Sequence, residues 1–112
     1  MTDREMLEAA ARAAGQERSV AGDLWSNARG MPWNPLTDDG DALRLAVQLG
    51  LEVGFVDDEP GNDGRYTRAS VGYSTESDPR VRYVFEDHRG DIFAATRRAI
   101  VRAAAAMDGG QG

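Results

Sequence analysis

Three aspartates crowd the start of an apolar segment. Asp38, Asp39 and Asp41 directly follow a turn that contains Trp33 and Pro35. Clustered carboxylates can bind a hard cation, act as a catalytic acid pair, or form an acidic surface for a partner. These three lack the ligand spacing of an EF-hand loop, and no pocket is indicated that would raise one pKa. We expect them to cap a helix, with a partner-binding patch of Trp33, Asp38, Asp39 and Asp41 as the alternative.

His88 is the one histidine of the chain, and cysteine is absent. A multi-histidine zinc site, a thiolate nucleophile and a disulfide framework are therefore excluded within one chain. His88 lies between Asp87 and Arg89, where a neighbouring acid could make it a general acid or base. No serine in a nucleophile setting accompanies it, and the glycine-rich phosphate-binding motifs are missing. We expect a turn residue there, no catalytic residue, no cofactor and no enzymatic activity.

A small basic ridge is expected on the outer side of the last helix. It consists of Arg97, Arg98 and Arg102. Guanidinium groups can hold a phosphate or a carboxylate with two hydrogen bonds, so the ridge is a candidate anion or ligand site. The plainer interpretation is a solvated helix face. The ridge could also pair with the acidic turn at Asp38, within one chain or between the subunits of a dimer.

The bulk composition predicts one globular domain over residues 1–112. The chain is 41% hydrophobic and 29% charged, which is an ordinary globular mixture. Its net charge of −6 argues against nucleic acid as a direct partner and is compatible with a basic protein surface as one. No segment has the apolar length of a membrane span, and the N-terminus lacks a signal-peptide core. We expect a cytoplasmic protein with no membrane contact.

The periodicity predicts three helices, over residues 3–14, 38–49 and 91–107. A capping box formed by Thr2 and Glu5 starts the first helix, and its alanine-rich face can lie close against another element. Glycines at positions 15 and 50 end the first two helices. The second is expected to bury Leu43, Ala46, Val47 and Leu49, and the third starts at Asp91. Residues 108–112 are expected to fray.

Alternating apolar residues predict three strands, over 51–56, 66–73 and 81–87. Turn sequences with proline and glycine separate them, so they should form an antiparallel meander. Residues 16–36 are expected to be mostly loop, with a short edge strand at 20–25 as an option and Trp25 and Trp33 as apolar plugs. The whole is an α+β domain, a three-stranded antiparallel sheet packed with helices.

Two blocks resemble known sequences. WNPLTDDGDALRLAVQLGLEV, from Trp33 to Val53, and ATRRAIVRAAAAM, from Ala95 to Met107, resemble a group of small phage and prophage proteins. The organisation is also similar to the phage ABA-sandwich domain, in which helices flank a small sheet. The resemblance covers about a third of the chain and carries no catalytic or ligand residues. It implies a phage accessory protein that works in a bacterial host cell.

Three functions follow as expectations. The first is a non-enzymatic phage protein that binds and modulates a host protein, for instance as an anti-CRISPR-type counter-defence inhibitor that competes for a basic, nucleic-acid-binding groove. The second is a small-ligand protein or nucleotide-signal sponge, with the arginine ridge and the tryptophans as its pocket, possible at a subunit interface of a homodimer. The third, an enzyme of unknown class, has the least support.

Overall fold

The computed structural model describes residues 2–18, 25–26, 32–57, 67–87 and 90–108. Three helices form within them: α1 (Asp3–Ala14), α2 (Asp39–Leu49) and α3 (Ile92–Met107). The main sheet comprises β4 (Glu52–Asp57), β5 (Thr67–Tyr73) and β6 (Arg82–Asp87), antiparallel in that order. The predicted α+β arrangement is confirmed, and each predicted boundary lies within one residue of the observed one.

A second, smaller sheet was not predicted. The strands β1 (Glu17–Arg18), β2 (Trp25–Ser26) and β3 (Pro32–Trp33) pair antiparallel in this order. Each is two residues long, too short for a periodic pattern to reveal. These strands account for six of residues 16–36, which the sequence predicted as mostly loop, and residues 19–24 and 27–31 lie outside the described residues. The optional edge strand at 20–25 lies, apart from Trp25, outside the described residues.

The predicted caps start and end the helices. Thr2 and Glu5 form the capping box of α1, Asp38 caps α2, and Asp91 caps α3 by accepting the backbone N–H of Ala94. Gly15 and Gly50 end α1 and α2 with φ angles of 69° and 67°, a left-handed conformation that L side chains rarely adopt. Asp108 is not part of a frayed tail, because its carboxylate accepts a 3.0 Å hydrogen bond from Arg12.

The capping box gives α1 a testable pH dependence. The pKa of Glu5 is lowered because the Thr2 backbone N–H donates to its carboxylate, with the Thr2 hydroxyl adding to the effect. A lowered folded-state pKa means that Glu5 stabilises the helix above its unfolded-state pKa and loses this effect as the pH falls through the folded-state pKa. We expect its side-chain NMR titration to have a midpoint below the roughly 4.3 of a free glutamate. A Glu5→Gln variant should lose the corresponding acid-induced fraying of α1, and a midpoint at the free value would contradict the capping box.

Helix α3 is the centre of the fold. It packs across β5 and β6 on one side and against α1 and α2 on the others. Alanines form most of the buried positions of α1 and α3, as the narrow alanine face of α1 predicted: Ala9, Ala10, Ala11 and Ala14 on α1, and Ala95, Ala99, Ala103 and Ala104 on α3. Small side chains let the two helix axes approach closely. Val71 and Ala69 of the central strand complete the core beneath α3.

The buried face of α2 differs from the predicted one. The predicted face contained Leu43 and Val47, but both are exposed, and the helix buries Ala42, Leu45 and Ala46. Leu49 packs at the margin of the core. Apolar residues occupy six of the eleven positions of α2, more than one face of a helix can bury, so spacing alone leaves the orientation open. Contact with α3 decides it.

Candidate functional site

The acidic turn, Asp38, Asp39 and Asp41, stabilises the start of α2. Asp38 is the N-cap, and its carboxylate accepts the Asp41 backbone N–H at 2.7 Å. Asp41 is only 5% exposed; it accepts the backbone N–H of Asn34 at 2.9 Å and a 2.8 Å hydrogen bond from Arg44. The helix start and the preceding turn are thus tied together by one buried carboxylate. The capping interpretation is confirmed for Asp38.

The third acid connects two helices. Asp39 pairs with Arg97 of α3 at 2.6 Å, and the same guanidinium donates to the Leu36 carbonyl at 2.9 Å. Pairing between the acidic turn and the arginine ridge was one of the alternatives that the sequence left open, and for Asp39 and Arg97 it occurs within one chain. Among the residues that the structure describes, no group of acidic or histidine side chains is arranged to hold a metal ion.

Trp33 lies apart from the exposed acids. Its side chain is buried in the core shared by the three helices, whereas Asp38 and Asp39 are exposed. The four residues of the predicted partner-binding patch therefore do not form one surface, because Trp33 and Asp41 face inward. The backbone of Trp33 pairs with that of Trp25 across the small sheet. The buried position of Trp33 agrees with its other interpretation, an apolar plug that packs against the core.

The arginine ridge is neutralised by neighbouring acids. Arg98 pairs with Asp3 at 2.8 Å, and this hydrogen bond raises the pKa of the guanidinium. Arg102 pairs with Glu86 and donates to the Phe85 carbonyl at 2.9 Å. With Arg97 engaged by Asp39, all three members have carboxylate partners. An anion would have to displace these carboxylates before it could bind the ridge. The three arginines therefore serve mainly to form ion pairs between α3 and the neighbouring elements.

One further charged cluster supports a turn. Asp78 accepts hydrogen bonds from Arg80 at 3.0 Å and from Arg82 at 2.6 Å. The hydrogen bonds from Arg80 lower the pKa of Asp78 the most. The cluster fixes the connection between β5 and β6, where the Asp78 backbone N–H also donates to the Thr75 hydroxyl. His88, the remaining candidate from the sequence, lies outside the described residues.

An apolar feature of the described surface is a groove between α2, α3 and β4, which we call the apolar groove. Its cavity volume is about 430 Å³. Apolar side chains form nearly all of its lining: Ala42, Leu43, Val53, Phe55, Ile92, Phe93 and Ile100. Asp39, Thr96 and Arg97 complete it. Because Asp39 and Arg97 pair with one another, the rim of the groove has little net charge.

The groove exists because the helices leave β4 uncovered. Val53 and Phe55 pair with Val71 and Ala69, so they lie on the same side of the sheet as α3. Helix α3 covers β5 and β6, and α2 rests on α3 without covering the groove. As a result Phe55 is 60% exposed, Phe93 is 66% exposed and Leu43 is 64% exposed. Large apolar side chains grouped in this way are typical of an interaction surface.

Sequence reasoning did not find this groove. The alternation in β4 correctly predicted a strand, but it does not state whether another element covers Val53 and Phe55. The sequence did contain one signal of this groove. Helix α2 has more apolar residues than one buried face of a helix can hold, so some of them, here Leu43 and Val47, had to stay exposed. Phe93 gave a second signal, because it immediately follows the first residue of α3 and falls outside the buried positions of that helix.

Comparisons with protein-family models, with curated proteins and with solved structures found no match to this chain. The phage-like blocks therefore stay a prediction from the sequence. No helix in the described part of the chain has the length and apolar character needed to span a membrane. The groove, its exposed phenylalanines and the charges around it are accordingly the observations from which function is inferred.

Proposed function

We propose that this chain is a non-enzymatic protein-binding module whose contact surface is the apolar groove. The supporting observation is the grouping of Leu43, Phe55 and Phe93 around one opening, each more than half exposed. Burial of apolar area drives association, and aromatic side chains contribute most at the centres of protein interfaces. A groove between two helices and a strand suits an apolar segment of a partner, such as one face of an amphipathic helix.

The charge of the chain favours a basic partner. The net charge of −6 accelerates association with a positively charged protein and disfavours direct contact with nucleic acid. Together with the phage-like blocks, this supports a phage accessory protein that binds and modulates a host protein in the bacterial cytoplasm. Competition for the nucleic-acid-binding groove of a CRISPR effector is the specific form that we would test first.

An affinity capture from host lysate tests the proposal. Tagged wild-type protein should capture a specific host protein, identified by mass spectrometry, and a Leu43→Ser/Phe93→Ser variant should lose it. Both substituted side chains are exposed, so the variant should still fold, which circular dichroism checks. Binding of the purified pair should weaken more than tenfold in the variant, since each lost apolar contact at an interface core is worth about 1–2 kcal/mol.

A matched control lies on the same helix. Val47 is exposed on α2 but does not line the groove, so Val47→Ser should bind the host protein as the wild type does. If the Leu43→Ser/Phe93→Ser variant bound the host protein as tightly as the wild type does, the groove would not be part of the interface. Capture of no host protein by the wild type in a defence-competent host would count against a stable partner there.

The groove also admits a second function, the binding of a small apolar ligand. Its volume of about 430 Å³ falls in the range of small-molecule sites. Binding of a nucleotide signal has less support, because the arginines of the ridge already form ion pairs with Asp39, Asp3 and Glu86. A ligand at about 100 times its Kd would stabilise the fold by roughly 2.7 kcal/mol, so a thermal-shift screen separates this function from protein binding.

A further inference from the structure

We infer that the apolar groove binds an extended, basic segment of the host protein, which adds to the open edge of β4 as a further strand. This inference rests on the proposed function, because it specifies the partner of the same groove. In the described part of the chain, β4 pairs with β5 on one side and with no strand on the other. The open edge presents backbone N–H and C=O groups with which an extended peptide can pair.

The groove and the open edge share the residues of β4. Val53 and Phe55 line the groove and belong to the strand that has the open edge. Successive side chains of a strand alternate between the two faces of the sheet, so a strand added beside β4 would direct every second side chain toward the helices. Those side chains would pack beside Val53 and Phe55 and would reach Leu43 of α2 and Phe93 of α3, which also line the groove.

The backbone of β4 favours a strand over a helix as the occupant. An edge strand has one row of unpaired N–H and C=O groups. A partner that packs against Val53 and Phe55 and reaches this edge removes water from the row, and a buried backbone group without a hydrogen bond is costly. An extended segment supplies the missing hydrogen bonds. The backbone groups of a helix are already paired within the helix and cannot supply them.

The groove begins at the acidic starts of two helices. Asp39 and Ile92, the first residues of α2 and α3, both line it. The exposed Asp38 and Asp91 immediately precede them as helix caps, and within the described ranges Asp91 forms no ion pair. The positive helix ends offset part of these charges. The residues that follow β4 in the sequence, 58–66, add three acids and one arginine.

The described arginines at the start of the groove balance only part of this charge. Arg97, the arginine of the lining, pairs with Asp39 at 2.6 Å. Arg44 is shared between Asp38 and Asp41, at 3.8 Å and 2.8 Å respectively. One guanidinium thus serves two carboxylates there. A lysine or arginine of the partner would find a net negative charge at this end of the groove, which favours association and makes it sensitive to salt.

The opposite face of β4 is acidic as well. Glu52 is exposed on that face, and a β-carbon built on Gly72 of the neighbouring strand would lie 3.3 Å from its carboxylate. The basic residue next to β4 on this face, Arg68, stands over the ring of Phe85, on the side of β5 away from the open edge. The complementary segment therefore alternates apolar residues, which enter the groove, with basic residues, which lie on the side of Glu52.

Selection from a peptide library tests the form of the segment. A displayed library of random peptides, about 12–15 residues long so that either a strand or a helix can form, is selected on the wild type. Peptides that also bind the Leu43→Ser/Phe93→Ser variant are removed. We expect the remaining peptides to alternate apolar residues with lysine or arginine. Apolar residues spaced three and four apart would indicate a helix and overturn the inference, as would the absence of any groove-dependent peptide.

The capture from host lysate separates this inference from the proposed function. Capture of a host protein through the groove, combined with helical spacing in the selected peptides, would keep the proposed function and overturn strand addition. Alternating, groove-dependent peptides without a captured host protein would support strand addition and count against the host partner.

N-methylation of the best selected peptide tests the pairing with β4 directly. Successive N–H groups of an added strand point alternately toward β4 and away from it. A methyl group on an amide that points toward β4 should raise the Kd, measured by fluorescence anisotropy, roughly tenfold through the loss of one hydrogen bond. The same change at the neighbouring amide should have little effect and is the control. Equal effects at successive amides would overturn pairing with the edge.

Neutralisation of Asp91 tests the basic character of the segment. Asparagine caps a helix about as well as aspartate does, so Asp91→Asn removes one charge from the groove and keeps the start of α3. The Kd of the selected peptide should rise roughly two- to fivefold at low salt, the range of an exposed charge pair. Glu76→Gln is the matched control, since Glu76 is exposed between β5 and β6 at the other end of the sheet, and it should leave the Kd unchanged. Equal Kd values for Asp91→Asn and the wild type would contradict a basic partner.

Discussion

Replacement of Leu45 by alanine is expected to lower the free energy of unfolding by roughly 2–5 kcal/mol, the usual cost of truncating a buried leucine. Leu45 is 1% exposed and lies in the core between α2 and α3. The substitution leaves a cavity that the alanine-rich surroundings, with their short side chains, cannot fill. Equilibrium unfolding in guanidinium chloride measures the loss as a shift of the midpoint.

Leu43 provides the matched control for this prediction. It lies two residues away on the same helix and is 64% exposed, so Leu43→Ala makes the same chemical change without emptying the core. Its effect on stability should be within about 0.5 kcal/mol. If Leu43→Ala were the more damaging of the two, α2 would be rotated so that its other side faces α3, and the apolar groove would lose one wall.

Replacement of Asp41 by alanine should be the costliest change in the acidic turn, at roughly 2–3 kcal/mol. The substitution leaves the Asn34 backbone N–H without its acceptor in a partly buried position and releases Arg44. Hydrogen bonds to charged groups are worth more than neutral ones, and an unsatisfied buried donor carries a desolvation penalty. Thermal and chemical unfolding should both register the loss.

Asp39→Ala makes the same substitution two residues earlier and is the control. The Asp39 carboxylate is mostly exposed, and its pair with Arg97 should contribute less than about 1 kcal/mol. Equal effects of Asp39→Ala and Asp41→Ala would contradict a special role for the buried carboxylate. The comparison also guides binding studies, because a variant that neutralises the whole turn would change stability and surface charge together.

These structural roles narrow the choice of function. The acidic turn and the arginine ridge, the two charged features most visible in the sequence, are largely occupied by one another and by backbone groups. Among the described residues, the groove between α2, α3 and β4 stays open and is lined almost entirely by apolar side chains. Protein contact is the activity for which such surfaces are suited, and this is why the proposals concern binding.

The sequence by itself determined the elements and their ends. Thr2, Asp38 and Asp91 predicted the helix starts, Gly15 and Gly50 predicted two helix ends, and the alternation in 51–56, 66–73 and 81–87 predicted the meander. The helix ends depend on hydrogen bonds and backbone conformations within a few residues, so local sequence is sufficient to specify them. The meander follows because consecutive strands joined by turns usually pair with one another. The same reasoning anticipated the pairing of Arg97 with the acidic turn as one of its alternatives.

Only the tertiary structure decided which apolar residues stay exposed. Leu43 and Leu45 have the same chemistry and lie two positions apart, yet α3 buries one and leaves the other at the groove. Val53 and Phe55 stand on the helix side of the sheet and are still open, because α3 crosses β5 and β6 and not β4. The burial of a side chain depends on where elements distant in sequence pack, so the spacing of apolar residues within α2 or β4 cannot predict it.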